Sequence, residues 1–314
     1  MRQYIKIVKE AVYNTPAASP AAADVIWLEM AESDATLDAS PQLFTIRGAR
    51  PSRGVVDINT GASQYTVAGQ FTTQLYHEQA NFWKTAVFEP TVTNGIPDLP
   101  SYTIYRSYAS NAGVFRVERF SGVKFTGVTL SGSNAAAQAP VTMQLNLVGS
   151  QWTDTGVSLT APACNDFPTS VYLWSGTDLL LNNTSLKSVM RSASIQIQHN
   201  TNPIFHANQY ADRIAYYGWN PSLSVQMDLD THAYTSKMMS ILTSFASAQY
   251  ATNNKLEFTY AANKKVTFNL FNVVWNQLST SRPPGGDFMQ SGSLKPYYDC
   301  TNLDVTCSIT NPAA

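Results

Sequence analysis

The sequence predicts a mainly β protein built as two tandem β-sandwich or barrel domains, each with one flanking α-helix. Apolar residues recur with period two through most of the 314-residue chain, and the order of elements in the first half returns in the second. Only two segments carry the spacing of an amphipathic helix.

The strands are the clearest signal. Tyr65, Val67, Phe71 and Leu75 alternate with Gln64, Thr66, Gln70 and Gln74. Leu223, Val225, Met227 and Leu229 alternate with Ser222, Ser224, Gln226 and Asp228, and Val141, Met143, Leu145 and Leu147 with Thr142, Gln144 and Asn146. One face of each strand is therefore apolar and the other carries Ser, Thr, Gln and Asn, with few charges. Phe82, Trp83, Ala86 and Val87 place one helix over about 77–88. Met238, Ile241, Leu242 and Phe245 place a second over about 234–249, with Thr235 or Ser236 as its N-cap. Each helix directly follows a long alternating strand.

Displaced by about half the chain, the elements match in order. Segment 25–28 faces 171–174, and 44–47 faces 194–197. Loop-rich stretches follow at 48–62 and 199–221, then the long strands 63–76 and 221–231, then the helices. Hairpins 101–109 with 113–120 and 255–261 with 264–271 come next. Strands 122–130 and 141–149 close the first half, and 272–279 and 288–296 the second. Residue identity between the halves is poor, so pattern carries the repeat. Residues 150–170 lack periodicity and hold two prolines. The expected division is a first domain over 1–155 with an N-terminal arm, a linker over 156–170, and a second domain over 171–314.

Composition narrows the function. Apolar residues make up 44% and charged residues 13%, about half the usual charged share. With 20 Lys+Arg against 21 Asp+Glu, the chain lacks the basic excess of a phosphate-gripping nucleic-acid binder. It is also too apolar and too weakly charged for a disordered chain. Lys6, Lys9 and Glu10 interrupt the N-terminal apolar residues where a secretory leader needs an unbroken core, and no stretch is long and apolar enough for a membrane helix. Synthesis in a cytoplasm, with no membrane partner, is expected. Cys164, Cys300 and Cys307 read as reduced, partly buried thiols, although Cys300 and Cys307 also have the spacing of neighbours across a hairpin.

Nothing reads as a catalytic, cofactor or metal site. His77, His199, His206 and His232 lack metal-ligand spacing, and no nucleophile elbow, phosphate loop or dinucleotide fingerprint is present. The run 282–287 is a turn between strands, and the sequons in 182–185 fit a chain rich in Asn, Thr and Ser. Six Trp and 16 Tyr serve as core and interface anchors. The cluster 216–221, with Tyr217 and Trp219, reads as a contact surface.

Three stretches together resemble the major tail tube proteins of long-tailed phages with non-contractile tails, in a form with two tandem tube domains. The first is 120–132 followed by 140–149, of the type G-x-K-x-x-x-x-T-L-S and V-x-x-x-x-x-x-V-G. The second is the strand 194–203 with its Asn-rich end. The third is 223–245, a polar-alternating strand that runs into a helix. The arm 1–20 and residues 164–167 lie outside the resemblance.

The resemblance implies a structural virion protein of the tail, with no enzymatic role and no cofactor. Protomers of that family join inner sheets edge to edge, and rings of six tube domains stack into a conduit for DNA. With two domains per chain, three chains would make one ring. The implied partners are other copies of the chain, the tape measure protein in the lumen, tail terminator and baseplate proteins, and phage DNA in transit without specific binding. Alternation then makes Gln64, Thr66, Gln70, Ser224, Gln226 and Asp228 candidate lumen-facing residues. Arg50, Arg53, Asp57, Asp212, Arg213, Tyr217 and Trp219 are candidate ring-to-ring contacts, with the arm 1–20 and the segment 303–309 as further candidates. A carbohydrate-binding or adhesin β-sandwich is the alternative from another class. A tail terminator or baseplate-proximal tube-like protein is the alternative within the family's own biology.

Overall fold

In the computed structural model the described residues are 2–18, 20–31, 35–49, 55–88, 91–93, 96–109, 115–134, 138–154, 159, 166–206, 208–228, 249–250, 253–281, 289–297 and 305–311. The protein is mainly β, with large antiparallel sheets and, among the described residues, no closed barrel, consistent with the sandwich form of the expectation.

The first half holds β1 (Arg2–Lys9), β2 (Val25–Ala31), β3 (Ala35–Ala49), β4 (Val55–Gln74), β5 (Thr91–Thr93), β6 (Ile96–Asp98), β7 (Tyr102–Ala109), β8 (Phe115–Ser133), β9 (Thr142–Gly149) and β10 (Gln151–Thr153). The second holds β11 (Thr177–Leu181), β12 (Thr184–Ser185), β13 (Met190–Ile204), β14 (Arg213–Asp228), β15 (Gln249–Tyr250), β16 (Asn254–Ala261), β17 (Lys264–Leu270), β18 (Val273–Ser281), β19 (Met289–Lys295) and β20 (Val305–Thr310). The first expected helix is present as α1 (Ala80–Trp83), which widens into a π-turn over Lys84–Phe88. The second, about 234–249, lies almost wholly outside the described residues; at its end Gln249 and Tyr250 form β15.

Two ladders repeat each other strand for strand. In the first, β3 pairs β4, β4 pairs β9, and β9 pairs the C-terminal part of β8. In the second, β13 pairs β14, β14 pairs β19, and β19 pairs β18. Ala35 faces Phe71 and Phe71 faces Leu145; equivalently, Ala193 faces Val225 and Val225 faces Gly292. The ladders meet where β8 pairs β13, from Ser133 opposite Ser192 to Gly127 opposite Gln198. Eight strands thus run side by side in the order β3-β4-β9-β8-β13-β14-β19-β18.

Smaller outer layers cover the apolar face. In the first half β2-β1-β7 joins the N-terminal part of β8; in the second, a five-stranded sheet runs β12-β11-β16-β17-β20. The expected separate strands 113–120 and 122–130 are one strand, β8, which passes from one layer to the other. Gly122 lies inside it at φ 63°, a conformation that costs glycine little. An added Cβ there would sit 2.7 Å from Ser150 Cβ.

Phe71, Phe125, Leu130, Leu145, Ile195 and Leu223 fill the space between the layers. Trp83 meets Phe125 edge-on at 5.6 Å, and Phe88 meets Phe268 edge-on at 4.9 Å, so the helical segment touches both halves. Burying such a side chain contributes about 1.5–3 kcal/mol, and this term drives strands with one apolar face to stack.

Several local expectations are corrected. The stretches 48–62 and 199–221 are largely the arms of two long hairpins rather than loops. The N-terminal arm supplies β1, which pairs β2 on one side and β7 on the other. Within 171–174, Val171 and Leu173 form only isolated bridges, to Tyr76 and Pro140, and the next strand starts at Thr177. Cys307 is buried in β20, while Cys164 and Cys300 lie outside the described residues.

Candidate functional site

The site is the polar face of the eight-stranded sheet. Strand alternation places it: β9 buries Met143, Leu145 and Leu147 and turns Thr142, Gln144 and Asn146 outward. β4 turns Gln70 out beside buried Phe71, and β14 turns Ser224 out between buried Leu223 and Val225. Ladder pairing aligns these residues across strands. Gln70 lies opposite Asn146, and Ser224 opposite both Ser194 and Ser293.

Neutral hydrogen bonds tie the face together. Gln144 Nε2 donates to Gln70 Oε1 at 3.1 Å, and the Ser131 and Thr142 hydroxyls lie 2.8 Å apart. Gln226 reaches the Met289 sulfur. A concave hollow of about 810 Å³ spans β8, β9, β13, β14, β18 and β19 on this face. Serines dominate its lining, and none of the lining residues is charged.

The six expected lumen residues fall as follows. Gln64, Thr66 and Gln70 share one side of β4, with Gln70 exposed and Gln64 and Thr66 half-buried. Ser224, Gln226 and Asp228 share one side of β14; Ser224 and Gln226 line the hollow. Asp228 is ion-paired with Arg191 and both are partly exposed, so its charge is locally balanced. Sequence reasoning passed over Ser131, Thr142, Ser194, Gln277, Ser279 and Ser293, which line the same hollow. Their own period-two alternation was the signal that would have found them.

The contact candidates are more scattered. Arg50 and Arg53 lie outside the described residues, and Asp57 is placed only as part of the β3–β4 hairpin, opposite Arg47. Asp212 closes the loop of the β13–β14 hairpin: it accepts from the His206 backbone N–H and Nδ1 at 2.8 Å each, and from Asn208 Nδ2 at 2.5 Å. The Asn208 bond, followed by those from His206, holds its carboxyl below the usual carboxylate range. Arg213 and Tyr217 are exposed, Tyr217 at 68%. Trp219 is half-buried and stacks on His199 at 6.2 Å.

The same hairpin leans on the first half. Gln209 C=O accepts from Tyr65 N–H at 2.7 Å, Tyr210 stacks on Tyr65 at 5.1 Å, and the Ser150 hydroxyl donates to Ala211 C=O. Buried Lys124 joins this contact, donating to Ile214 C=O at 3.1 Å while paired with Asp98 at 2.6 Å.

Among the described residues, no group of three or more His, Cys, Asp or Glu is placed to hold a metal ion, and no helix is long and apolar enough to cross a membrane. A broad antiparallel sheet with its apolar face covered by outer strands and an uncharged hollow on its polar face is the architecture of a structural β subunit. The family model described as phage tail tube protein matches residues 2–288, and the chain belongs to that family. The match takes in the N-terminal arm, which the resemblance in sequence had left out. No curated protein matches the chain. The protein is a structural component of the phage tail.

Proposed function

We propose that the chain is the main tail tube subunit, and that three copies form a ring of six tube-type domains whose polar sheet faces line a DNA conduit. The observation that carries this reading is the concave, uncharged hollow on the eight-stranded sheet. Each Lys or Arg contact with phosphate adds affinity, so a passage for DNA is best lined by neutral polar groups. Residues 1–155 and 171–314 are the two domains, joined by 156–170, and Gln64, Thr66, Gln70, Ser224, Gln226 and Asp228 belong to the lumen wall.

Three eight-stranded sheets at ordinary strand spacing and tilt would close a barrel on the order of 45–50 Å across its backbone. That leaves room for duplex DNA after ejection begins and for the tape measure protein before it. Rings stack through the projecting hairpins, with Arg50, Arg53, Asp57, Asp212, Arg213, Tyr217 and Trp219 as contacts, and tail terminator and baseplate proteins meet the ends. Assembly takes place in the host cytoplasm.

Negative-stain microscopy of the purified protein tests this reading. Rings or tubes are the expected result, and uniform monomers that bind glycans would overturn it. Deleting residues 49–60 is expected to leave folded protomers that do not polymerise; tubes of normal length from that variant would remove the stacking role of the first hairpin.

A further inference from the structure

The two ladders share two irregularities as well as their order; the shifts at Ile46/Arg47 and Met190/Ser192 have no counterpart among the described residues. The β3–β4 register shifts between Gln42 and Leu43, and the β13–β14 register shifts between Asn200 and Thr201. The β8–β9 register shifts between Phe125 and Gly127, and the β18–β19 register between Trp275 and Gln277. Both pairs of bulges fall at matching ladder positions. Bulges reset pairing and twist, so matching bulges equate the strands residue by residue: β3 with β13, and β8 with β18.

One seam between such strands already exists within the chain, where β8 pairs β13. Its counterparts are left over. Beyond Val274, β18 pairs only β19, and β3 pairs only β4, among the described residues. Unpaired edges of this kind are templates for another strand. The eight-stranded order begins with an edge of the β13 type and ends with one of the β8 type.

We infer that β18 of one copy pairs antiparallel with β3 of the next in the register of the internal seam, placing Gln277 opposite Ser40, Ser279 opposite Asp38 and Ser281 opposite Thr36. The partner is a second copy of this chain. The contact is head-to-tail, and it closes into a ring when the rotation between copies divides the circle. The inference rests on the ring reading above and adds which edges meet and in which register. Faces agree: Gln277, Ser279 and Ser281 are exposed, as are Thr36, Asp38 and Ser40, while Ala35 and Leu37 are buried. A slip of one residue would set the exposed residues of one strand opposite the buried residues of the other across the seam. Slips of two keep the faces, and the experiment must separate them.

Three double-cysteine variants make that separation in assembled protein, with the parent and its native cysteines as control. Opposed residues have Cα atoms about 4.5–5.5 Å apart, within disulfide reach, whereas residues offset by two are at or beyond its limit. Under mild oxidation, Ser40→Cys with Gln277→Cys is expected to give covalent trimers on a non-reducing gel. Asp38→Cys with Gln277→Cys, and Ser40→Cys with Ser279→Cys, are expected to cross-link at least tenfold more slowly.

Faster cross-linking in either offset variant, or rings in which the matched pair stays reduced, overturns the register while leaving the ring intact. A parent that never assembles overturns the ring reading itself. Amide exchange on the unmodified protein guards against variants that fail to fold: residues 36–40 and 277–281 slow together on assembly. Unchanged exchange in either segment of assembled protein overturns the seam.

Discussion

His199 Nε2 donates to the Val87 carbonyl at 2.6 Å, tying the β13–β14 hairpin to the end of the first half's helical segment. The imidazole is buried, and Nδ1 has no hydrogen-bond partner among the described residues. Burial pushes the His199 pKa below its usual value, against the opposing effect of the Val87 bond, so the ring is neutral in the folded protein. The unfolded chain takes up that proton near pH 6.5, whereas the folded chain resists it. The stability held by neutral His199 is present above about pH 6.5 and is lost as pH falls from there toward the folded-state value. Replacing His199 by Phe should flatten that part of the stability profile and cost about 1–3 kcal/mol at neutral pH, because Val87 C=O loses its buried donor. Thermal unfolding of parent and variant between pH 5 and 8 would check both effects.

Arg106 and Glu118 form a buried two-pronged ion pair on β7 and β8, with Nε and Nη2 at 3.0 and 2.6 Å from Glu118 Oε2. Arg106 also lies over the Tyr108 and Phe120 rings. Removing Arg106 leaves the buried Glu118 to the exposed Arg116, 3.5 Å away. Arg106→Met is expected to destabilise the protein by about 3–5 kcal/mol, and Arg106→Met combined with Glu118→Leu by clearly less. Urea unfolding of the single and double variants gives the comparison.

At Gly69, β4 comes close to the backbone of β3. A Cβ at this position would lie 1.9 Å from the Thr36 carbonyl oxygen and 2.7 Å from Leu37 Cα. Backbone cannot yield as a flexible side chain would, so Gly69→Ala should push β3 off the sheet and disable the edge proposed to pair with β18 of the next copy. We expect a protomer that keeps its far-ultraviolet signature but sediments as a monomer under conditions where the parent assembles.

Ser224 stands exposed between buried Leu223 and Val225 and lines the neutral hollow. Ser224→Lys should fold and assemble normally while converting the face to one that holds DNA. Each new phosphate contact steepens the salt dependence of binding by about 0.9 in the log–log slope. Tubes of parent and variant, incubated with short duplex DNA across a salt series, would show retention only in the variant and only at low salt.

The parts of the fold that were legible in the sequence are those with one buried face. β9 alternates without interruption, so Thr142, Gln144 and Asn146 could be separated from Met143, Leu145 and Leu147 by counting alone. The hairpin arms failed that test for a physical reason. Among the described residues, 200–204 and 213–218 pair only with each other, beyond the span where β8 and β19 flank them. With a less regular buried face they carry a weaker alternation, and their Asn, Pro and Gly residues read as loop. The N-terminal arm, left outside the resemblance, forms a strand in which Lys6 alternates with buried Ile5 and Ile7 and lies over the Trp27 ring at 5.3 Å. A cationic residue with a long apolar stem sits readily on a strand's outer face.

The sequence by itself determined that this is a β protein with repeated halves, a polar face poor in charge on its central strands, and no basic excess. Those properties are local, set by alternation and by side-chain type. Only the tertiary structure decided that β8 meets β13, that the two ladders fuse into one concave face, and that β3 and β18 remain as its edges. Backbone N–H and C=O groups are the same in every strand, so hydrogen bonding alone does not choose a partner. The choice comes from long-range packing, where bulges, layer crossings such as Gly122, and contacts such as Phe88 on Phe268 bring particular edges within reach.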